Sequence, residues 1–205
     1  MSFDGPTNYA GGTLYPQSSK KVARAVNSFS GKVPLIVLAN LSGFDGSPES
    51  LRRNQLEWGA EIGRAIVNFQ GPILFVVVSR YHGGAYVVFS KALNENLRSI
   101  ALGGSFASVI GGAPAAAVVF PGQVRKSVYE DERIVKAQEK LKTKTLSLAE
   151  FEELYKQVYN EKQSELAQHF DQVHSVQRAK DVGSIDEIIN ISQLRKSIVS
   201  FIQKK

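Results

Sequence analysis

The chain has 205 residues, of which 43% are hydrophobic, 21% charged and 9% aromatic, and its formal net charge is +6. This balance is typical of a globular protein with one domain and an appendage, and it excludes a disordered chain. The absence of cysteine excludes disulfide bonds, thiolate zinc sites and cysteine nucleophiles.

The apolar runs of the sequence are short. The longest, residues 34–38 and 72–78, cannot cross a bilayer, and no basic-then-apolar leader opens the chain. The excess positive charge is spread thinly and is not interleaved with aromatic residues. We therefore expect a cytoplasmic protein that binds neither a membrane nor a nucleic acid.

Glycine divides the chain into two parts, because 16 of its 17 glycines lie before residue 123. In the first part, residues 17–29 have the apolar spacing of a helix. Residues 34–41 and 72–79 are short apolar runs that predict buried strands, and a helix is predicted between them over 51–69. The order of strand, helix and strand predicts a parallel βαβ unit with a right-handed crossover.

The rest of the first part continues this alternation. His82 and the two glycines after it are predicted to open an apolar helix that reaches residue 93. Residues 98–102 and 105–110 predict two short strands. A helix of small residues is predicted from Gly111 to about residue 120.

The second part is dense in Lys, Glu and Gln and predicts a charged helical hairpin over residues 123–176, with its turn at 142–145. Ser147 and Glu150 have the spacing of a capping box. The apolar residues that follow on one predicted helix face are Leu148, Phe151, Tyr155 and Val158.

Ser184 and Glu187 have the same capping-box spacing and predict that a closing helix begins there. Its predicted buried face consists of Ile191, Leu194, Ile198 and Phe201. The expected organisation is a lead-in (1–13), an α/β core (14–122), a charged helical appendage (123–181) and a closing C-terminal helix (182–205).

The clearest candidate for chemistry is the sequence SRYHGGAY at residues 79–86, where a buried strand is followed by two glycines and a helix. The first amides of a helix lack intrahelical acceptors and can bind an anion or a developing oxyanion. Gly111, Gly112 and Ala113 repeat the pattern. Close packing alone would also explain these glycines, and neither turn has the lysine of a P-loop or the spacing of a dinucleotide fingerprint.

The three histidines do not predict a metal site. His169 and His174 are five residues apart, which places them on different helix faces, and no third ligand is evident. His82 lies in the glycine turn, where its side chain either faces a ligand or lies exposed in a loop. No nucleophile elbow is present, and no acidic residue ends a strand as a general base would. Two amide anion sites with few catalytic side chains suit thioester chemistry in which a cofactor supplies the difficult step.

Taken together, several motifs resemble the C-terminal half of the carboxyltransferase of biotin-dependent acyl-CoA carboxylases, within the crotonase-like superfamily. The shared order of these motifs, from about residue 11 to the end, carries the resemblance. They are residues 14–21, ANLSGF at 39–44, the helix at 58–69, PILFVVVS at 72–79, GGAYVV at 83–88, 170–178 and 183–189.

The resemblance implies a crotonase-like α/β fold of stacked ββα units, and a role in fatty acid metabolism. Members of the family transfer the carboxyl group of carboxybiotin, held on a carrier protein, to the α-carbon of an acyl-CoA such as acetyl-CoA. In the family, the biotin N1 anion acts as the base, which fits the missing catalytic carboxylate. The implied partners are an N-terminal carboxyltransferase half, a biotin carboxyl carrier, a biotin carboxylase, and a second copy in a homodimer or larger oligomer.

The resemblance also assigns site residues. The amides of Gly84 and Ala85 would bind the ureido oxygen of biotin, and Gly83 would permit the turn. Relatives have arginine or tyrosine at the position of His82, so the arginine's contact with the transferred carboxylate is not implied here, whereas Val87 matches a position that influences acyl-chain size. The residues expected to line the pocket are His82, Tyr86, Val87, Gly43, Phe44, Gly111, Gly112 and Ala113.

Three alternatives remain at this point. A biotin-dependent acyl-CoA decarboxylase would run the reverse reaction, and a non-catalytic structural subunit would keep the fold for assembly. A crotonase-fold hydratase would need a carboxylate near the helix at Gly111, and the sequence places none there. Because the N-terminal half is not part of the matched motifs, we expect inefficient turnover by this chain alone.

Overall fold

The computed structural model describes residues 12–203. The described residues form two compact units, of which one runs up to Val109 and resumes at His174, and the other spans Ile110–Val173. Each unit has an apolar core of its own. The expected domain boundaries at residues 13, 122 and 181 stay a prediction.

The helices and strands alternate through the first unit, and the second unit is helical. The strands are β1 (Thr13–Leu14), β2 (Leu35–Leu41), β3 (Gly43–Phe44), β4 (Ile73–His82), β5 (Leu97–Leu102), β6 (Phe106–Ser108) and β7 (Glu187–Ile189). The helices are α1 (Pro16–Phe29), α2 (Pro48–Arg52), α3 (Gln55–Val67), α4 (Gly84–Val88), α5 (Gly112–Pro114), α6 (Pro121–Tyr129), α7 (Glu132–Lys142), α8 (Leu148–Val173), α9 (Val176–Asp181) and α10 (Leu194–Gln203).

The α/β unit is built on a parallel sheet with the strand order β2-β4-β5-β7, and β6 pairs with the end of β4. Strands β2 and β4 are parallel neighbours, so the predicted βαβ unit is confirmed. The single helix predicted over 51–69 is wrong in one respect. Asn54 adopts a left-handed conformation (φ +62°) and separates α2 from α3.

The two faces of the sheet bury different sets of side chains, because successive residues of a strand point to opposite faces. Phe75 and Val77 of β4 face the core that contains α1 and α3. Leu74 and Val76 face the smaller core under α10. Strand β2 is buried on one face only, with Leu38 49% exposed, so the prediction of a wholly buried strand is wrong there.

Several predicted boundaries need correction. The strand predicted to end at residue 79 continues to His82, because β6 supplies a further pairing partner for its last three residues. The helix predicted to reach residue 93 is the short α4, followed by a separate 3-10 turn at Lys91–Leu93. The strands predicted at 98–102 and 105–110 are confirmed as β5 and β6.

The predicted start of the closing helix is wrong. Residues after Ser184 lead into strand β7, and a capping box formed by Asn190 and Gln193 precedes α10. Ile191 is 69% exposed instead of buried. The other three residues of the predicted face, Leu194, Ile198 and Phe201, pack against the sheet as expected.

The helical unit has the charged composition and apolar stripe that the sequence predicts. Buried residues of α6, α7 and α8 form its core, with Val158 of α8 fully buried. The capping box is confirmed, since the Glu150 N–H donates to Ser147 Oγ (3.3 Å) and the Ser147 N–H donates to Glu150 Oε2 (2.9 Å). Leu148 is 61% exposed and lies outside the buried face. None of the helices within residues 12–203 is long and apolar enough to span a membrane.

Ion pairs connect α7 and α8 within the helical unit. Arg133 Nε donates to Asp131 Oδ1 (2.9 Å), and Arg133 Nη2 donates to Glu161 Oε2 (2.6 Å). The hydrogen bonds from Arg133 hold the pKa of Asp131 well below its ordinary value of 3.8. Asp131 therefore caps α7 and also makes an ionic contact to Lys162 of α8.

Candidate active site

The end of strand β4 turns sharply at Gly83. This residue has φ +63° and ψ −144°, a conformation that side chains disfavour, and its N–H donates to the Val109 carbonyl (2.9 Å). A Cβ atom at Gly83 would lie 3.0 Å from the Cα of Gly43. Both the backbone conformation and the close neighbour therefore require glycine at this position.

Gly43 approaches the turn from the other side. It has φ +115°, and a Cβ atom there would lie 3.3 Å from the Cα of Gly83. The backbones of β3 and of the turn consequently contact each other without intervening side chains. The structure thus brings Gly43 and Gly83 together.

Phe44 fills the space beside this contact. A Cβ atom on Gly84 would lie 2.3 Å from its Cδ2, and a Cβ atom on Gly59 would lie 2.6 Å from its Cε2. The ring thus lies against two glycines, one at the start of α4 and one within α3. Gly84 is therefore required for packing, whereas Gly83 is required for backbone conformation.

The first two amides of α4 have no acceptor among the described residues, although Ala85 is fully buried. The N–H groups of Gly84 and Ala85 donate to no atom of residues 12–203. The following N–H, of Tyr86, donates to the Gly83 carbonyl (3.0 Å), and the Phe89 N–H donates to the Ala85 carbonyl (3.1 Å). Two adjacent backbone donors at the end of a strand can bind one oxygen that carries negative charge.

His82 is neither exposed nor part of a loop, so the prediction of an exposed loop histidine is wrong. It is the last residue of β4 and only 5% exposed. Its Nδ1 lies 3.1 Å from Ser108 Oγ and 3.3 Å from the Ser108 carbonyl oxygen. Ser108 does not figure among the predicted site residues. No motif marks it, because its relation to His82 depends on the pairing of β4 with β6.

The remaining predicted residues of the turn differ in exposure. Tyr86 is partly buried, and its hydroxyl donates to Ser184 Oγ (2.7 Å). Its carbonyl accepts from the hydroxyl of Tyr81 (3.1 Å), and burial raises the pKa of that phenol well above its usual range. Val87 is 57% exposed. The side chain of Tyr86 therefore anchors α4, while that of Val87 is open to a ligand.

The second Gly-Gly-Ala turn differs from the first. The Gly112 N–H donates to the carboxylate of Asp171 (2.7 Å), and a Cβ atom on Gly112 would lie 2.1 Å from the Ala167 carbonyl oxygen. The expectation of two equivalent anion sites is corrected, because a carboxylate of the chain already occupies this donor. The expectation that no carboxylate lies near this helix is corrected as well. Nothing in the sequence pairs residues 59 positions apart.

Neither a metal-binding cluster nor the groove beside α10 forms part of the candidate site. No group of three or more histidines and acidic residues within the described part of the chain could hold a metal ion. A groove of about 280 Å³ lies beside α10 and is lined by Leu74, Ile100 and Phe201 among others. It lies on the sheet face that carries none of the predicted site residues.

The α/β unit, with its parallel sheet and packed helices, has the crotonase-like fold. Two of the solved structures that share this fold are transcarboxylase 12S and the β subunit of geranyl-CoA carboxylase. Transcarboxylase 12S, with hydrolysed methylmalonyl-coenzyme A bound, has a TM-score of 0.67 at 21% sequence identity. The match covers 93% of this chain and 31% of the transcarboxylase chain. The β subunit of P. aeruginosa geranyl-CoA carboxylase has a TM-score of 0.64 at 21% sequence identity. That match covers 92% of this chain and 35% of the β subunit.

The chain belongs to the carboxyl transferase domain family, whose model matches residues 5–205. It is 35% identical over 89 residues to the mitochondrial acetyl-CoA carboxylase of Saccharomyces cerevisiae. The matched segment is 42% of this chain and 4% of that carboxylase. It is 26% identical over 150 residues to the acetyl-CoA carboxylase of Dictyostelium discoideum. The matched segment is 71% of this chain and 6% of that carboxylase. The chain thus spans a small part of these curated relatives.

Proposed function

We propose that this chain is the C-terminal part of a biotin-dependent carboxyltransferase. It transfers a carboxyl group from carboxybiotin to the α-carbon of an acyl-CoA such as acetyl-CoA. The observation that carries the proposal is that the N–H groups of Gly84 and Ala85 have no acceptor within residues 12–203. Membership of the carboxyl transferase domain family supports it.

The donor set fits the group that the family uses. The ureido oxygen of biotin is a hydrogen-bond acceptor, and the turn offers two donors without an acceptor inside residues 12–203. Biotin, attached to a separate carrier protein, supplies the transferable carboxyl group. The Gly84 and Ala85 amides donate to the oxygen on which negative charge develops, and donors that are already in place stabilise that charge without reorganisation.

The other residues of the turn position these donors. Gly83 permits the change of direction, and the ring of Phe44 fixes the place of Gly84. Within residues 83–88 the only ionisable side chain is that of Tyr86, whose hydroxyl donates to Ser184. The turn therefore stabilises charge and does not move a proton through a side chain of its own.

The proposal includes partners outside this chain. The solved relatives are about three times as long as the part that this chain matches. An N-terminal carboxyltransferase half would supply most of the coenzyme A site, and a biotin carboxyl carrier and a biotin carboxylase would complete the reaction. We further propose a cytoplasmic homodimer or larger oligomer that acts in fatty acid metabolism. Gly111, Gly112 and Ala113 are proposed to line the pocket, and residues 123–181 to form an appendage.

A hydratase is the second candidate, and Asp171 is the observation that favours it. Its carboxylate lies at the small-residue helix, where a hydratase of this fold would need a general base. Addition of water to an enoyl-CoA such as crotonyl-CoA would then depend on Asp171. Under the leading proposal, Asp171→Asn leaves carboxyl transfer intact and no hydration is measured. The decarboxylase and structural-subunit alternatives are decided by the assay below.

The test is biotin-dependent decarboxylation of malonyl-CoA, measured with this chain alone and with a separately produced N-terminal half from the same source. Activity in the mixture alone supports a half-site carboxyltransferase. Activity of the chain alone would show that it contains a sufficient coenzyme A site. Inactivity of the folded mixture, also with longer and branched acyl-CoA substrates, would contradict catalysis and favour a structural subunit. Carboxylation and decarboxylation rates compared in the complete complex assign the direction.

A further inference from the structure

We propose that Ser108 is a positioning residue, which acts through His82 to fix the direction of the Gly84 and Ala85 amides. The inference rests on the proposed function, since it concerns the same two donors. Ser108 touches neither of them. It lies in β6, on the strand that supports the end of β4 immediately before the turn.

The backbone register brings the two residues together. Strands β4 and β6 run parallel, with His82 opposite Ser108. One residue further, the Gly83 N–H donates to the Val109 carbonyl (2.9 Å). The pairing thus extends to the last peptide before the chain changes direction, and no later residue of the turn pairs with β6.

The side chains add a second connection at the same place. His82 Nδ1 lies 3.1 Å from Ser108 Oγ and 3.3 Å from the Ser108 carbonyl oxygen, and both residues are buried. A hydroxyl donates to an unprotonated ring nitrogen and accepts from a protonated one. The Ser108 hydroxyl therefore holds the imidazole in either neutral tautomer. A methyl group in its place would remove the contact of Nδ1 with Ser108 Oγ.

The surroundings of the turn transmit a displacement of His82 to the donors. Gly83 follows His82 directly, and the Cα of Gly43 lies 3.0 Å from the position that a Gly83 Cβ would take. The ring of Phe44 closes the side of Gly84. With backbone on one side and a ring on the other, a shift at the end of β4 reorients the next two amides instead of being absorbed.

Ser108→Val and Ser108→Thr form a matched pair for the test. The two side chains have the same shape and differ by a hydroxyl against a methyl group, so any overpacking affects both. Ser99→Ala is the control, because it removes a buried serine hydroxyl from β5 that has no hydrogen-bond partner within the described residues. Loss of a buried hydroxyl as such is thereby separated from loss of the contact with His82.

The first measurement is the amide spectrum of the ¹⁵N-labelled chain. We expect the Gly84 and Ala85 signals to shift in Ser108→Val and to stay near their wild-type positions in Ser108→Thr and Ser99→Ala. The second is turnover in the mixture with the N-terminal half. We expect kcat to fall roughly tenfold in Ser108→Val with KM within about twofold, because misplaced donors affect the transition state more than substrate binding.

The outcomes separate the inference from the proposed function. Unchanged Gly84 and Ala85 signals in a folded Ser108→Val chain would overturn the positioning role, whatever the activity. Equal effects of the valine and threonine variants would do so as well, because the hydroxyl would then be irrelevant. An inactive wild-type mixture would contradict the proposed function, while the amide spectra would still decide the role of Ser108.

Discussion

Two turns of this protein have the same three residues, Gly-Gly-Ala, but their backbone N–H groups differ in whether they have an acceptor. At residues 83–85 the chain leaves a strand, and the amides of Gly84 and Ala85 find no acceptor within residues 12–203. At residues 111–113 the amide of Gly112 donates to Asp171 (2.7 Å). The two amides of the first turn therefore have no acceptor among the described residues, whereas in the second turn a carboxylate accepts from Gly112.

The reasons for glycine also differ between the two turns. Gly83 needs a positive φ, and Gly84 makes room for the ring of Phe44. Gly112 has no positive φ, but helix α8 lies against it so closely that a Cβ would meet the Ala167 carbonyl. The comparison shows that glycines permit the backbone conformation or the close packing of such a turn. The neighbouring elements then decide whether its N–H groups already have an acceptor.

The largest effect is expected from Gly112→Ala, which breaks the second turn. Its Cβ would lie 2.1 Å from a backbone oxygen of a long helix, which cannot move aside as a side chain can. We expect a loss of at least about 3 kcal/mol in the free energy of unfolding. Gly122→Ala is the control, because its Cβ meets nothing within 4 Å and it lies within α6. Urea unfolding should show Gly122→Ala unchanged or stabilised by up to about 1 kcal/mol. Similar midpoints for the two variants would contradict the close contact.

A smaller effect is expected from Gly84→Ala in the first turn. The added Cβ would lie 2.3 Å from Phe44 Cδ2, and the ring, which also touches Gly59, has little room to move. We expect a cost of about 1–3 kcal/mol in the wild-type background. In the Phe44→Ala background the same change should cost almost nothing, because the ring is gone. A double-mutant cycle by urea unfolding measures the difference, and additive costs would show that Phe44 does not constrain Gly84.

An effect of similar or smaller size is expected at Asp171, which sharpens the comparison without breaking a turn. Asp171→Ala removes the acceptor of the Gly112 amide and should cost about 1–3 kcal/mol. Asp171→Asn keeps an oxygen acceptor but loses its charge, so we expect a cost of about 1 kcal/mol. Thermal or urea unfolding of both variants measures this order. If alanine and asparagine were equally harmless, the carboxylate would not be a significant partner of the second turn.

The sequence predicts the parts of the fold that local pattern determines. The apolar runs at β2 and β4 with a helical segment between them indicate the parallel βαβ unit, and the glycines mark the turn after β4. Local spacing also predicts the capping box at Ser147.

The parts that sequence does not predict depend on contacts between distant segments. Strand β4 continues to His82 because β6 pairs with it, and β7 forms where a capping box is predicted because β5 offers an edge. The break at Asn54 reflects a left-handed residue that apolar spacing does not reveal. Asp171 reaches Gly112 only in the folded helical unit. In each case the deciding partner lies far along the chain.

The central claim is that the amides of the first turn stabilise the developing charge. It is tested most directly by replacing the Ala85 amide with an ester, through lactic acid at that position, which removes one N–H and leaves the side chain unchanged. In the mixture with the N-terminal half, kcat for malonyl-CoA decarboxylation should fall roughly 100-fold. The same change at Gly122 in α6, through glycolic acid, should leave kcat within about twofold, because Gly122 belongs to no proposed site. An Ala85 ester with wild-type kcat would contradict the account.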